Sequence, residues 1–132
     1  MWSVRPIALA ASRAPAPLAL MALIFWLSAQ PDLDTGFGVW DLILRKLGHA
    51  LVFGALAVLW SWALHPVVRR PIPIAAVIAA LYAVTDEYHQ SFVEGRSGKV
   101  SDVAFDLAGI VIASLLLRHA INVRVASTPR SR

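Results

Sequence analysis

Lys46, His49, Asp86, Glu87, Gln90, Arg96, Asp102 and Asp106 are the residues of this chain whose types suit chemistry. They gather at the ends of long apolar runs. A carboxylate deep in a bilayer costs about 2.5–3.5 kcal/mol on insertion scales, so several together call for a reason. His49 or Glu87 suits a general base, with Asp102 to orient His49 and Asp86 as a further acid. Lys46 and Arg96 suit an anionic headgroup, arginine through two-pronged contacts with phosphate, with Gln90 and Asp106 beside them as substrate-binding groups. Hydrolysis or transfer on a phosphorylated or glycosylated lipid is the chemistry such a set could perform.

Two other readings compete. Arg45, Lys46 and Arg96 could neutralise the four acids in a purely structural salt-bridge network that fixes helix order. The same cleft could instead bind a lipid or envelope component without reacting with it, so enzymatic activity stays undecided. Asp86, Glu87, His89, Asp102 and Asp106 are also oxygen and imidazole donors. No HExxH-type pair occurs among them, so no metal site is expected, and the sequence names no cofactor.

The elements that must position these residues are membrane helices. The chain has 132 residues, 58% hydrophobic and only 15% charged, where soluble proteins carry roughly a quarter charged residues. At about 20 residues per span, four spans leave short loops and no room for a separate soluble domain. The net charge of +4 would suit nucleic acid in a soluble protein, but the basic residues sit at segment ends, where membrane orientation explains them and no nucleic acid is needed. Without cysteine, disulfides, thiolate metal sites and a cysteine nucleophile are excluded.

The expected architecture is all-α: one membrane domain of four transmembrane helices in a compact bundle. Spans are expected at about 15–29, 43–64, 72–91 and 101–118, with residues 119–132 a mobile tail. A signal peptide competes for the first run, since Leu27-Ser28-Ala29 resembles a cleavage site; the later spans need no signal. That first helix could begin earlier, with Arg13 snorkelling to the surface. Residues 30–42 read as a loop of turn formers, with Phe37 and Trp40 at the bilayer interface. Ser101 reads as a cap for the fourth span. His65, His119 and the tryptophans, Trp2, Trp26, Trp40, Trp60 and Trp62, read as interfacial residues.

Basic residues in the N-terminal segment, at Arg69–Arg70 and in the tail fall on one side, which the positive-inside rule makes cytoplasmic: N-in and C-in. His49 then lies roughly 8–10 Å inside the outward end of its span, with Asp86, Glu87 and Asp106 at ~8–11 Å in theirs. Helical spacing puts them on small-residue stripes: Lys46-Ala50-Gly54-Ala57-Ser61, Ala76-Ala80-Ala83-Glu87-Gln90 and Asp102-Asp106-Gly109-Ala113. Such stripes let helices approach closely, so the charged layer is expected to line an outward-facing cleft in the bundle interior. Transport by one protomer is disfavoured, since four short spans leave little material for alternating access unless the chain oligomerises.

The spacing Lys46-x-x-His49-x-x-x-Phe53, Asp86-Glu87-x-x-Gln90-x-Phe92, Gly95-Arg96 and Asp102-x-x-x-Asp106-x-x-Gly109 resembles the VanZ-like family of small bacterial membrane proteins. The resemblance covers roughly residues 40–117, and Leu27-Ser28-Ala29-Gln30-Pro31 also looks like the family. Members more often carry Asn where this chain has Asp106, and Pro where it has Glu94. The resemblance implies a bacterial cytoplasmic-membrane location and a partner in the cell envelope, such as a membrane lipid or glycopolymer precursor. The family's founding member is associated with low-level resistance to teicoplanin, a glycopeptide antibiotic.

Overall fold

Apolar runs broken by proline and glycine become helices joined by short turns. The computed structural model describes residues 4–31, 38–96 and 98–127. These form five helices: α1 (Val4–Arg13), α2 (Pro15–Ser28), α3 (Val39–Leu64), α4 (Pro71–Gln90) and α5 (Val100–Ser127). No strand occurs among the described residues. Val4–Ser28, Val39–Leu64 and Val100–Ser127 are long and apolar enough to cross a membrane. The 20-residue α4 does not join them, because Asp86, Glu87, His89 and Gln90 dilute its last turns.

Several boundaries differ from the sequence expectations. The first apolar segment begins at Val4, not near residue 15, and is divided at Ala14. Pro15 has no N–H to continue the ladder, although Ala14 still donates to the Ala10 carbonyl at 3.0 Å. Arg13 does not simply reach for the surface. One of its guanidinium nitrogens donates to the Trp62 carbonyl at 3.0 Å, and its cationic carbon lies 4.7 Å from the centre of the Trp62 ring, pinning α1 to α3.

α3 starts at Val39, so Trp40 and Asp41 are helical and exposed or half-exposed, not loop residues. Ser101 lies inside α5 and is no cap; its hydroxyl faces Asp102 at 3.4 Å. The segment from residue 119, read as a mobile tail, is helix as far as Ser127. At 1.5 Å per residue the 28-residue α5 is ~42 Å long and outreaches a hydrocarbon core of about 30 Å. Trp2, Phe37, Ser97 and the tail arginines Arg130 and Arg132 lie outside the described residues.

The interior is narrow and made of small side chains. Ile24, Phe53, Leu56, Ala57, Ala79, Ala83 and Ile110 form its apolar centre, drawn from α2, α3, α4 and α5. α3 and α5 meet backbone to backbone. A Cβ at Gly109 would overlap the main chain of Ala50, and one at Gly54 would stand 3.0 Å from the Gly109 carbonyl oxygen. On α4 the buried alanines are Ala75, Ala79 and Ala83, while Ala76 and Ala80 are half-buried. The face ending in Asp86, Glu87 and Gln90 runs back at four-residue spacing, which rotates the stripe from the one the sequence suggests.

Outside this centre the surface is greasy: Leu51, Val77, Leu81, Ile112 and Leu116 are all exposed. In water, apolar patches of that extent would drive association, whereas lipid solvates them. The inverted pattern, small and polar inside with large apolar groups outside, is that of a membrane bundle.

Candidate functional site

The close approach of α3 and α5 sets the site. One turn from the Gly54–Gly109 crossing toward their N-terminal ends, the two helices present His49 and Asp106, and one further turn presents Lys46 and Asp102. Lys46 Nζ donates to Asp102 Oδ1 at 2.6 Å, and it lies 4.5 Å from the centre of the Phe105 ring. His49 Nδ1 and Asp106 Oδ1 stand 3.5 Å apart. That separation is at the outer limit of a hydrogen bond and lacks the geometry of one, so both atoms are buried without a hydrogen-bond partner. Asp106, not Asp102, is therefore the acid beside His49. The i, i+4 step along α5 matches the i, i+3 step from Lys46 to His49, so the pairs form level by level.

Glu87 arrives from the last turn of α4. Its Oε2 accepts the backbone N–H of Lys99 at 3.2 Å, just before α5 begins. The connecting loop presses down here: a Cβ at Gly98 would overlap the Glu87 carbonyl oxygen. The turn before it needs Gly95, whose φ of 76° lies in the left-handed region. His49, Glu87 and Asp106 each offer a donor atom within 4.8 Å of the others. Three helices thus deliver one imidazole and two carboxyl groups to a single point in the bundle.

Asp86, Gln90 and Arg96 belong to a different construction. Asp86 is buried, and its Oδ2 accepts from the Ser28 hydroxyl at 2.9 Å and from Gln90 Nε2 at 2.8 Å. Arg96 donates to Gln90 Oε1 at 3.2 Å. This chain of bonds ties the end of α2 to α4 and the following loop. Asp86, read from the sequence as a catalytic acid, joins this bridge through Oδ2, while its Oδ1 is buried without a hydrogen-bond partner. Arg96, read as an anion-binding residue, donates to Gln90. Ser28 is the member that sequence reasoning passed over as a site residue. Its signal was a lone hydroxyl at the end of an apolar run, inside Leu27-Ser28-Ala29-Gln30-Pro31. His89 joins neither group; its ring stacks on Phe25 at 4.3 Å.

Two hollows adjoin the histidine. A cavity of about 40 Å³ is walled by Arg45, Lys46, His49, Glu87, Gln90 and Asp102 among others. Beside it an apolar groove of about 230 Å³ runs between α2 and α3 along Ile24, Leu27, Val52 and Phe53. Arg45 and His49 line both. A pocket lined by charged residues thus lies beside an apolar slot, with Arg45 and His49 in the wall between them.

The sequence profile of the VanZ/LLP1 family matches residues 16–122, spanning α2 to α5 and every residue of this site. No curated protein and no solved structure shows significant similarity to the chain.

Proposed function

As the chain belongs to the VanZ/LLP1 family, we propose that it is a four-span protein of the bacterial cytoplasmic membrane that binds an anionic, lipid-linked component of the cell envelope. In this reading α4 also crosses the membrane, as the third of four spans, both termini are cytoplasmic, and the polar layer opens to the outer face. The basic turn at Arg69–Arg70 supports that orientation, as do Arg118 and Arg124 at the opposite end of the bundle from Glu87.

One observation carries the ligand class: the 40 Å³ polar pocket and the 230 Å³ apolar groove share Arg45 and His49. An amphipathic site matches an amphipathic ligand. The headgroup sits by Lys46 and Arg45, and an acyl or isoprenoid chain follows the groove between α2 and α3. Lys46 and Arg45 are the main anion-binding residues in this reading because both line the pocket, Lys46 with its ammonium shared with Asp102, whereas Arg96 does not line it. A bracing role holds for part of the layer, since Ser28, Asp86, Gln90 and Arg96 form a continuous hydrogen-bonded bridge.

Native mass spectrometry of the gently purified protein tests this reading. The wild type should retain an anionic lipid that Lys46→Gln loses by about tenfold or more, the scale of one charged hydrogen bond. Arg118→Gln, at the far end, should retain it. Equal retention in wild type and Lys46→Gln would show annular lipid only and end the proposal.

A further inference from the structure

We propose that His49, Glu87 and Asp106 form a binding site for one divalent metal ion of the zinc or manganese class. Asp106 is the starting point. Its side chain is 0% exposed, and neither carboxylate oxygen has a hydrogen-bond partner. A carboxylate in that position is strongly destabilised unless a cation meets it. Lys46 does not serve, because it is bonded one turn away to Asp102 at 2.6 Å. The group that Asp106 faces is His49 Nδ1 at 3.5 Å, which forms an ion pair with it only when the imidazole is protonated and is itself buried without a hydrogen bond.

The separations suit an ion. Donors held about 2.0–2.1 Å from a tetrahedral metal stand about 3.4 Å from one another. Nδ1 of His49 and Oδ1 of Asp106 are 3.5 Å apart, and the donor atoms of all three residues lie within 4.8 Å. The 4.8 Å bound is wider than zinc ligands stand from one another, so Glu87, the third donor, has to close by roughly an ångström when the ion binds. The imidazole nitrogen favours zinc over magnesium and calcium, which take oxygen ligands, and the two carboxylates admit manganese as well. Two carboxylates cancel the charge of a dication, so the filled site is neutral among apolar helices.

The supports of a metal site are also present. Glu87 is oriented by the Lys99 N–H at 3.2 Å, a fixed partner of the kind that holds metal ligands in place. The 40 Å³ cavity beside His49 and Glu87 exceeds the space of a single water and gives an ion both an entry and room for a further ligand. Because the ligands come from α3, α4 and α5, the ion would clamp all three helices at one level. The site shares His49 and the 40 Å³ cavity with the lipid reading but does not rest on it, since Lys46 is no ligand to the ion.

Cobalt is the probe, because its visible absorption reports nitrogen–oxygen ligation directly. Tag-free protein, stripped with a chelator and titrated with Co²⁺, should bind one ion per chain with a visible band that Zn²⁺ abolishes. His49→Gln, Glu87→Gln and Asp106→Asn should each weaken binding tenfold or more while helical circular dichroism is unchanged. Lys46→Gln and His119→Ala should bind as the wild type does; failure of lipid retention in Lys46→Gln with metal binding intact separates the two sites. The proposal is overturned if the wild type binds no Co²⁺ or Zn²⁺ below millimolar concentrations. It is equally overturned if binding survives in those of the three ligand variants that fold, or is lost in His119→Ala.

Discussion

Gly109→Ala will destabilise the protein by about 1–3 kcal/mol, and Gly109→Leu will separate α3 from α5. The added Cβ has no space, because the Ala50 main chain already occupies it. Backbone cannot rotate aside as a long side chain can, so the helices must shift. Gly109 is three residues from Asp106, and the shift will therefore lengthen the 3.5 Å approach of Asp106 to His49 and open the site. Gly48→Ala is the matched control. A Cβ there meets nothing within 4 Å, so stability should stay within about 0.5 kcal/mol of wild type. Thermal unfolding in detergent reads both. A Gly109→Ala protein as stable as Gly48→Ala would contradict the packing described.

Asp86→Ala will loosen α2 from the bundle. The substitution strands the buried Ser28 hydroxyl, at about 1–3 kcal/mol, and leaves the Gln90 amide only its longer 3.3 Å bond to the Ser28 Oγ. Among the described residues another polar tie of α2 is the Tyr82 hydroxyl donating to the Met21 carbonyl at 2.6 Å. Hydrogen exchange in α2 should accordingly rise, while α3 and α5 keep their protection. Asp86→Asn retains an acceptor oxygen and should be affected far less. Equal exchange in Asp86→Ala and Asp86→Asn would show that the bridge is not what holds α2.

The helical membrane architecture was legible because composition and small-residue spacing act locally. Gly54, Gly109 and Ala113 announce a close crossing through their size alone, and the structure places them there. The convergence of His49, Glu87 and Asp106 was legible as a shared depth, since rise per residue is constant, but Asp86, placed at that depth with them, turns to α2 instead. Pairing was not legible. Whether His49 meets Asp102 or Asp106 depends on one turn of relative shift between α3 and α5, which the Gly109–Ala50 contact sets and no single segment encodes.

The separation of Asp86 from Glu87 was hidden for a similar reason. Adjacent residues on a helix point about 100° apart, so Asp86 meets α2 and Glu87 meets α3 and α5. Helix ends were misjudged where charge and apolarity conflict. Trp40–Asp41 look like loop yet lie within α3, and residues 119–127 look like tail yet continue α5. In both places the helix persists because its backbone bonds do not depend on whether water or lipid surrounds the side chains.

The claim that the polar layer opens to the outer face rests on orientation, and the absence of cysteine makes that directly measurable. Single-cysteine variants Glu94→Cys and Arg70→Cys, both at exposed positions, should be treated with a membrane-impermeant maleimide on intact cells stripped of outer barriers. An outward-opening site requires position 94 to be labelled at once and position 70 only after the membrane is permeabilised. Labelling of position 70 with protection of position 94 would place His49, Glu87 and Asp106 on the cytoplasmic side and refute the envelope-facing site.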